Sequence, residues 1–254
     1  MFGRVNRDRA KNGLPPLKYD PRLSDIGRSH SKDMRDNHFF EHESPTYGAL
    51  DSRLHRAGYL FLKARENLAE AITVDDAEDG LLKSPHHYEN LMAEDITHVG
   101  IGIVKGGVVD PRNLTVTQVF STPGKRESNA EATAAIVQTV TRARATSGTP
   151  ALARLPELDR LACDELAKVQ GELDGSQLGT IGAHVVDQLG KRPIAGVSGV
   201  SAGAQVVVDS SQYQADGAIL SGNARGYGLC VDHGPHGIKG PRLRVLVLVG
   251  LRGP

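Results

Sequence analysis

The chain has 254 residues, enough for one large or two ordinary domains. Its 30 basic and 30 acidic residues cancel, so charge gives no reason to expect a nucleic-acid partner or an anionic membrane surface. No run approaches 18 apolar residues, which argues against an integral membrane protein. The opening MFGRVNRDRAKNG lacks the apolar core of a secretory leader.

The first elements are written in VNRDRAKNGLPPLKYDPRL, residues 5–23. A helix carrying Val5 and Arg9 should stop at Gly13, which suits a left-handed C-cap. Pro15 and Pro16 keep it from resuming, Leu17 anchors an extended link, and Pro21 opens the next helix at a first-turn position. Leu23, Ile26, Gly27, His30 and Met34 form the apolar stripe of that helix. His30, on the stripe, reads as a hydrogen-bonded core histidine.

HFFEHESP follows, residues 38–45. His38 to His42 spell H-x-x-E-H, the inverzincin pattern, in which two histidines on one helix share a zinc and the glutamate acts as base. That reading needs an uninterrupted helix, and Ser44-Pro45 comes at once. The sequence therefore predicts a helix ending near Asn37 or His38 and a loop carrying His42. His38 becomes a surface or helix-end residue, where a cationic side chain suits the helix C-terminus.

Further along stand Arg53 to Arg56, with His55 read as solvated, then Glu66-Asn67 and Ser84-Pro85-His86-His87. His86 could substitute for His87. Ser44 and Ser84 lie near candidate histidines, but neither sits in a nucleophile elbow, so nucleophilic catalysis has little support. Residues 97–107 and 113–121 read as two strands, with His98 capping the first. Gly100 and Gly102 share one face and permit close approach by another element.

TPGKRESNAEA, residues 122–132, is polar and reads as a linker. After it the opening recurs. VTRARATSGTPALARLPEL, residues 140–158, matches residues 5–23 at nine of 19 positions without a gap. Chance would give about one or two. RGYGLCVDHGPHG and PRLRVLVLVGL, residues 225–237 and 241–251, repeat the closing strands, with Val245 to Val249 apolar throughout, as in a strand covered on both faces. The expected organisation is a domain over 1–122, a linker over 123–132 and a degenerate copy over 133–254. The copy has no histidine-serine-proline, no Glu-Asn and no Ser-Pro-x-His; its Gly, Ser and Val runs suggest sheet edges. His184 reads as structural, and His233 and His236 as polar turn residues that could bind metal. Cys163 and Cys230 could pair, but nothing local suggests it, and the expectation is two buried free thiols.

In the first half the informative pieces come in order: His30-Ser31 with Asp33-Met34, Phe40-x-His42-x-Ser44-Pro45, Arg53 with Ala57-Gly58-Tyr59, Glu66-Asn67-Leu68-Ala69, Ser84-Pro85-x-His87-x-x-Asn90-Leu91, and Val99-Gly100-Ile101-Gly102. With this set the chain resembles bacterial members of the CAP superfamily, the SCP domain of cysteine-rich secretory, antigen 5 and pathogenesis-related proteins. The resemblance implies an α+β fold, an α-β-α sandwich in each half with an antiparallel sheet between helices. It also implies a cleft with two histidines and one or two glutamates that holds zinc or another divalent cation. His42, Glu66 and His87 match the first histidine, the glutamate and the second histidine. Ser84 stands where eukaryotic members carry a second glutamate, and Leu81 where they carry a tryptophan. Secretion or a cell-envelope location, an apolar or lipid-like ligand and a cell-envelope partner are further implications.

From chemistry alone, two imidazoles and a carboxylate make a three-ligand zinc site with an open position. They equally make a hydrogen-bonded cluster that braces a cleft. Three functions follow: a non-catalytic binding module, a metal-dependent hydrolase or protease with Glu66 as ligand or general base, and a structural or interaction protein.

Overall fold

The structure, a computed structural model, describes residues 1–170, 173, 175–215, 217–234 and 242–253. They divide into two compact units, with the division in sequence between Gly124 and Lys125.

In the first unit α1 (Phe2–Lys11) ends as its sequence predicts, with Gly13 at φ 72°. Buried Leu17 fixes the link into β1 (Lys18–Tyr19). α2 (Pro21–Asp36) begins on Asp20, whose carboxylate accepts from the Arg22 and Leu23 amides. α3 (Leu50–Arg56), β2 (Phe61–Ala71), α4 (Val74–Lys83), α5 (Pro85–Leu91), β3 (His98–Lys105) and β4 (Leu114–Pro123) follow. The sheet order is β1-β3-β4-β2. β2, β4 and β3 are antiparallel, but β1 pairs in parallel with β3, so the sheet is mixed rather than purely antiparallel. The two-residue β1 is a link between helices, and its direction follows from where α1 ends.

α2 packs on one face of the sheet through Leu23 and Ile26, which meet Leu54, Tyr59 and Val119. It lies so close that a Cβ on Gly100 would sit 2.2 Å from the Ser24 amide nitrogen, and one on Gly102 2.0 Å from that of Arg28. Glycine at those strand positions is therefore a packing requirement. The other face is covered from α1, α4 and α5 by Val5, Leu81 and Leu91 against Val99 and Phe120. Buried Arg9 closes this side. Its Nε donates to the Pro15 carbonyl at 3.0 Å, and its Nη1 to those of Leu91 and Ala93 at 2.8 and 3.0 Å. The end of α5 is thereby tied to α1.

Glu78 of α4 is fully buried, with Gln118 Nε2 donating to it at 2.9 Å. Burial pushes its carboxyl up to about 7 from an ordinary 4.5. The folded state therefore holds this proton longer than the unfolded chain. The contribution to stability is greatest below pH 4.5, falls as pH rises to about 7, and is flat above. Glu78→Gln is expected to abolish that slope and to be more stable than wild type at pH 8. Urea midpoints of both proteins from pH 4 to pH 9 check this; parallel curves would refute it.

In the second unit α6 (Asn129–Thr146) begins in a capping box of Ser128 and Glu131, so residues 129–132 of the stretch read as a linker are the first turn of a helix. α7 (Pro156–Lys168), α8 (Gly175–Lys191), β5 (Gly199–Val207), β6 (Ala224–His233) and β7 (Leu243–Leu251) complete it. The antiparallel sheet has the order β5-β7-β6, and Arg154 bridges Tyr227 in parallel beside it. β7 is buried from Leu243 to Gly250, between Ile136 and Val140 of α6 on one face and α7 and α8 on the other.

The repeated residues occupy like surroundings in their own units. Arg144 donates from Nε to the Pro150 carbonyl and from Nη1 to those of Ile219 and Ser221, as Arg9 does to its own three carbonyls. Gly148 has φ 70°. A Cβ on Gly228 would lie 2.1 Å from the Leu158 backbone. One crossing differs. Where Gly102 meets Arg28 in the first unit, the second unit has Cys230 against Cys163, and the two form a disulfide with Cα atoms 5.0 Å apart. The expectation of free thiols is thus corrected. The pairing was hidden because 67 residues separate the cysteines and only the helix-on-strand crossing brings them together.

Candidate functional site

The site begins with how α2 ends. The Asn37 and Phe39 amides donate back to the Asp33 and Met34 carbonyls, and His38 takes the left-handed conformation, φ 55°. His38 and His42 therefore do not share a helix, and H-x-x-E-H is not a metal-binding pair here. The loop after α2 is held to it at two points. His30 Nε2 donates to the Glu41 carbonyl at 3.0 Å, and Ser44 Oγ donates to Asp33 at 2.6 Å while accepting from the Thr46 and Tyr47 amides. Both are buried, as expected of a core histidine; Ser44 is a loop anchor, not a nucleophile.

This loop presents His42, whose side chain is 59% exposed, with Nδ1 2.9 Å from Glu66 Oε1. Glu66 comes from β2 and is buried. Arg53 of α3 forks onto it, Nη1 to Oε2 at 2.8 Å and Nη2 to Oε1 at 3.0 Å, and Nη2 also donates to the His42 carbonyl at 2.9 Å. Burial alone would raise the Glu66 pKa. The hydrogen bond from His42 and the Arg53 guanidinium outweigh it and hold the carboxyl below the usual range. Because the ionised carboxylate only accepts, the Nδ1 of His42 is the donor, and in the neutral ring Nε2 keeps the lone pair.

His87 stands on α5, which Asn67 and Asn90 staple to β2. Asn67 Nδ2 donates to the His87 carbonyl at 3.1 Å, and Asn90 Nδ2 to the Glu66 carbonyl at 3.1 Å and to Asn67 Oδ1 at 2.9 Å. Asn67 continues through Gln118 to Glu78. Burial, then the charges of His42 and His86, lower the pKa of His87 and favour the neutral, ligand-competent ring. Of the three residues singled out in the sequence, His42 and Glu66 touch, and His87 is tied to the same strand through its carbonyl and Asn67. Among the described residues no group of three His, Cys, Asp or Glu side chains is arranged to hold a metal ion. Both oxygens of Glu66 are already engaged by Arg53 and His42.

Other histidines fall as follows. His55 lies on the Phe61 ring, centroids 5.1 Å apart, rather than being simply solvated. His98 opens β3 beside Thr97 Oγ1. His184 pairs with buried Glu165 at 3.3 Å, and His233 bonds Asn129, whereas His236 lies outside the described residues. Arg53 is the residue whose role the sequence reading missed. Nothing local signalled it, since β2 reads FLKARENLAEA and mixes charged with apolar residues. On α2, a groove of about 710 Å³ is lined by both signs of charge, Arg22, Lys32 and Arg56 with Asp25, Asp33 and Asp36, but by neither His42 nor His87.

Residues 2–120 match the model of the Cysteine-rich secretory protein family, CAP. The match covers a little under half of the chain, nearly the whole of the first unit. The match to the uncharacterized protein YkwD of Bacillus subtilis is 35% identical over 106 residues, 41% of each chain. That to the uncharacterized membrane protein YlbC of the same organism is 36% identical over 100 residues, 39% of this chain and 29% of the relative. The chain thus spans well under half of these relatives. Among solved structures, an extracellular protein with an SCP domain from Bacillus anthracis matches at 36% identity and TM-score 0.43, over 47% of this chain and 38% of its own. An outer surface protein of Borrelia burgdorferi matches at 21% identity and TM-score 0.45, over 48% and 90%.

Proposed function

We propose that the first unit is a non-catalytic binding module, in which His42 Nε2 and His87 take a zinc-like divalent cation. The observation that carries this is the Glu66–His42 hydrogen bond, since a carboxylate on one ring nitrogen orients the other and raises its basicity toward a metal. Glu66 then supports a ligand rather than completing the site. A hydrolase using Glu66 as general base is the weaker reading, because both its oxygens already accept hydrogen bonds and its pKa is held low.

The disulfide supports an oxidising compartment, hence secretion or the cell envelope. No described helix is long and apolar enough to cross a membrane. An apolar or lipid-like ligand could lie in the groove on α2. There Arg22, Lys32 and Arg56 stand beside Asp25, Asp33 and Asp36, so the lining is of mixed charge.

The second unit we take as a CAP-like copy without the cleft, available as a partner surface or brace. Glu66 pairs through Val119 with Gly100; the residue that pairs through Leu248 with Gly228 is Ala202. The carboxylate's place is thus apolar in the copy.

Calorimetric titration with zinc tests the module reading on wild type and the His38→Ala, His42→Ala and His87→Ala variants. His42→Ala and His87→Ala are each expected to weaken binding at least tenfold, and His38→Ala to leave it unchanged. Binding that needs His38 but not His87 would restore the protease pattern. No binding by wild type would leave the brace.

A further inference from the structure

The guanidinium of Arg53 sits among three oxygens. Both carboxylate oxygens of Glu66 and the carbonyl of His42 lie 2.8–3.0 Å from its terminal nitrogens. The Arg53 and Glu66 side chains are only 5% and 3% exposed, so bulk solvent barely reaches this cradle. A carboxylate presenting both oxygens beside a backbone carbonyl is also what a hard divalent cation such as calcium or manganese seeks. The protein fills that place with its own cation.

We infer that Arg53 is the built-in cation of the cleft. It occupies an oxygen cradle that would otherwise take a hard divalent ion, and leaves the imidazoles of His42 and His87 as the open ligands. This rests on the module reading above for the second clause only. The first stands on the Arg53–Glu66–His42 geometry alone.

Two consequences separate this role from that of an ordinary buried ion pair. A guanidinium is always charged and is covalently held, so the cradle stays closed at any calcium concentration. The selectivity of the cleft is then set by what Arg53 excludes. With oxygen donors withdrawn, only ions that accept nitrogen ligands, zinc or copper, have partners left. Fixing the His42 carbonyl also positions its imidazole, because the same Nη2 bridges the His42 backbone and the carboxylate that receives its Nδ1–H.

The test uses the full chain with Arg53→Ala, which empties the cradle, and the double variant Arg53→Ala with Glu66→Gln, which empties it and removes its charge. Melting temperatures are read in metal-free buffer and with 5 mM CaCl2 or MnCl2, and zinc affinity is read by calorimetry. Wild type is expected to be indifferent to calcium and manganese. Arg53→Ala should be destabilised and should regain about 5 °C or more with either ion, because binding to the folded state alone stabilises it. The double variant should show no such gain. Should Arg53→Ala be unfolded without metal, refolding on addition of calcium or manganese is the same result.

If Arg53→Ala gains nothing from calcium or manganese, Arg53 is a plain ion-pair partner and the inference is overturned, whether or not wild type binds zinc through its histidines. If wild type binds no zinc yet Arg53→Ala responds to calcium, the histidine-pair reading fails and the cradle stands. A gain that persists in the double variant would place the ion elsewhere and also overturn the inference.

Discussion

Arg53→Ala is expected to cost the first unit about 3–5 kcal/mol, the range for removing one partner of a buried ion pair. The cost arises from what remains. Glu66 would be left ionised, 3% exposed, and relieved only by His42 Nδ1. Three hydrogen bonds would go with the guanidinium, including the one that holds the His42 carbonyl. Replacing both partners, Arg53→Met with Glu66→Gln, is expected to recover most of the loss, because no buried charge is then unpaired. The pH dependence has a definite sign. The Glu66 pKa is depressed, so its contribution is present above its ordinary value of 4.5 and is lost as pH falls through the lower folded value. Arg53→Ala should lose that acid dependence along with the stability. Urea unfolding followed by far-ultraviolet circular dichroism suits a chain without tryptophan. A loss below about 1 kcal/mol would class the pair with exposed ones and remove the basis for its structural role.

Replacing both cysteines by alanine is expected to destabilise the second unit by about 4 kcal/mol. That is the chain-entropy value for a cross-link closing a loop as long as the 67-residue separation of Cys163 and Cys230. The bond joins α7 to β6, next to Leu158 and Leu166, which pack on Leu246 and Leu248 of the neighbouring strand. Amide exchange should accelerate over Pro156–Lys168 and Ala224–His233, while Pro21–Asp36 in the first unit stays as it was. Reduction of the wild-type protein should reproduce the pattern. Unchanged exchange in α7 and β6 would mean that helix–sheet packing holds this crossing without the bond. It would also weaken the disulfide as an argument for an oxidising compartment.

Much of this was legible beforehand, and for local reasons. The stop of α1 at Gly13, the first-turn Pro21 and the helix end before His42 each depend on the backbone preferences of one or two residues. Gly100 and Gly102 announced a close approach because alternate strand positions without side chains serve little else. His42, Glu66 and His87 stand out in sequence as an ordered series of short motifs, of which the structure brings His42 and Glu66 into contact.

What could not be read were the partners. That Glu66 faces Arg53 depends on α3 delivering a guanidinium from 13 residues earlier into the interior beside β2. In sequence that arginine belongs to a polar string like any solvated turn. That Cys163 meets Cys230 depends on α7 crossing β6 at one register, where the first unit has Arg28 over Gly102. Local preference acts along the chain and leaves its mark in neighbouring residues. Charge pairing and cross-linking act through space, and their partners are fixed only once sheet register and helix crossing are set.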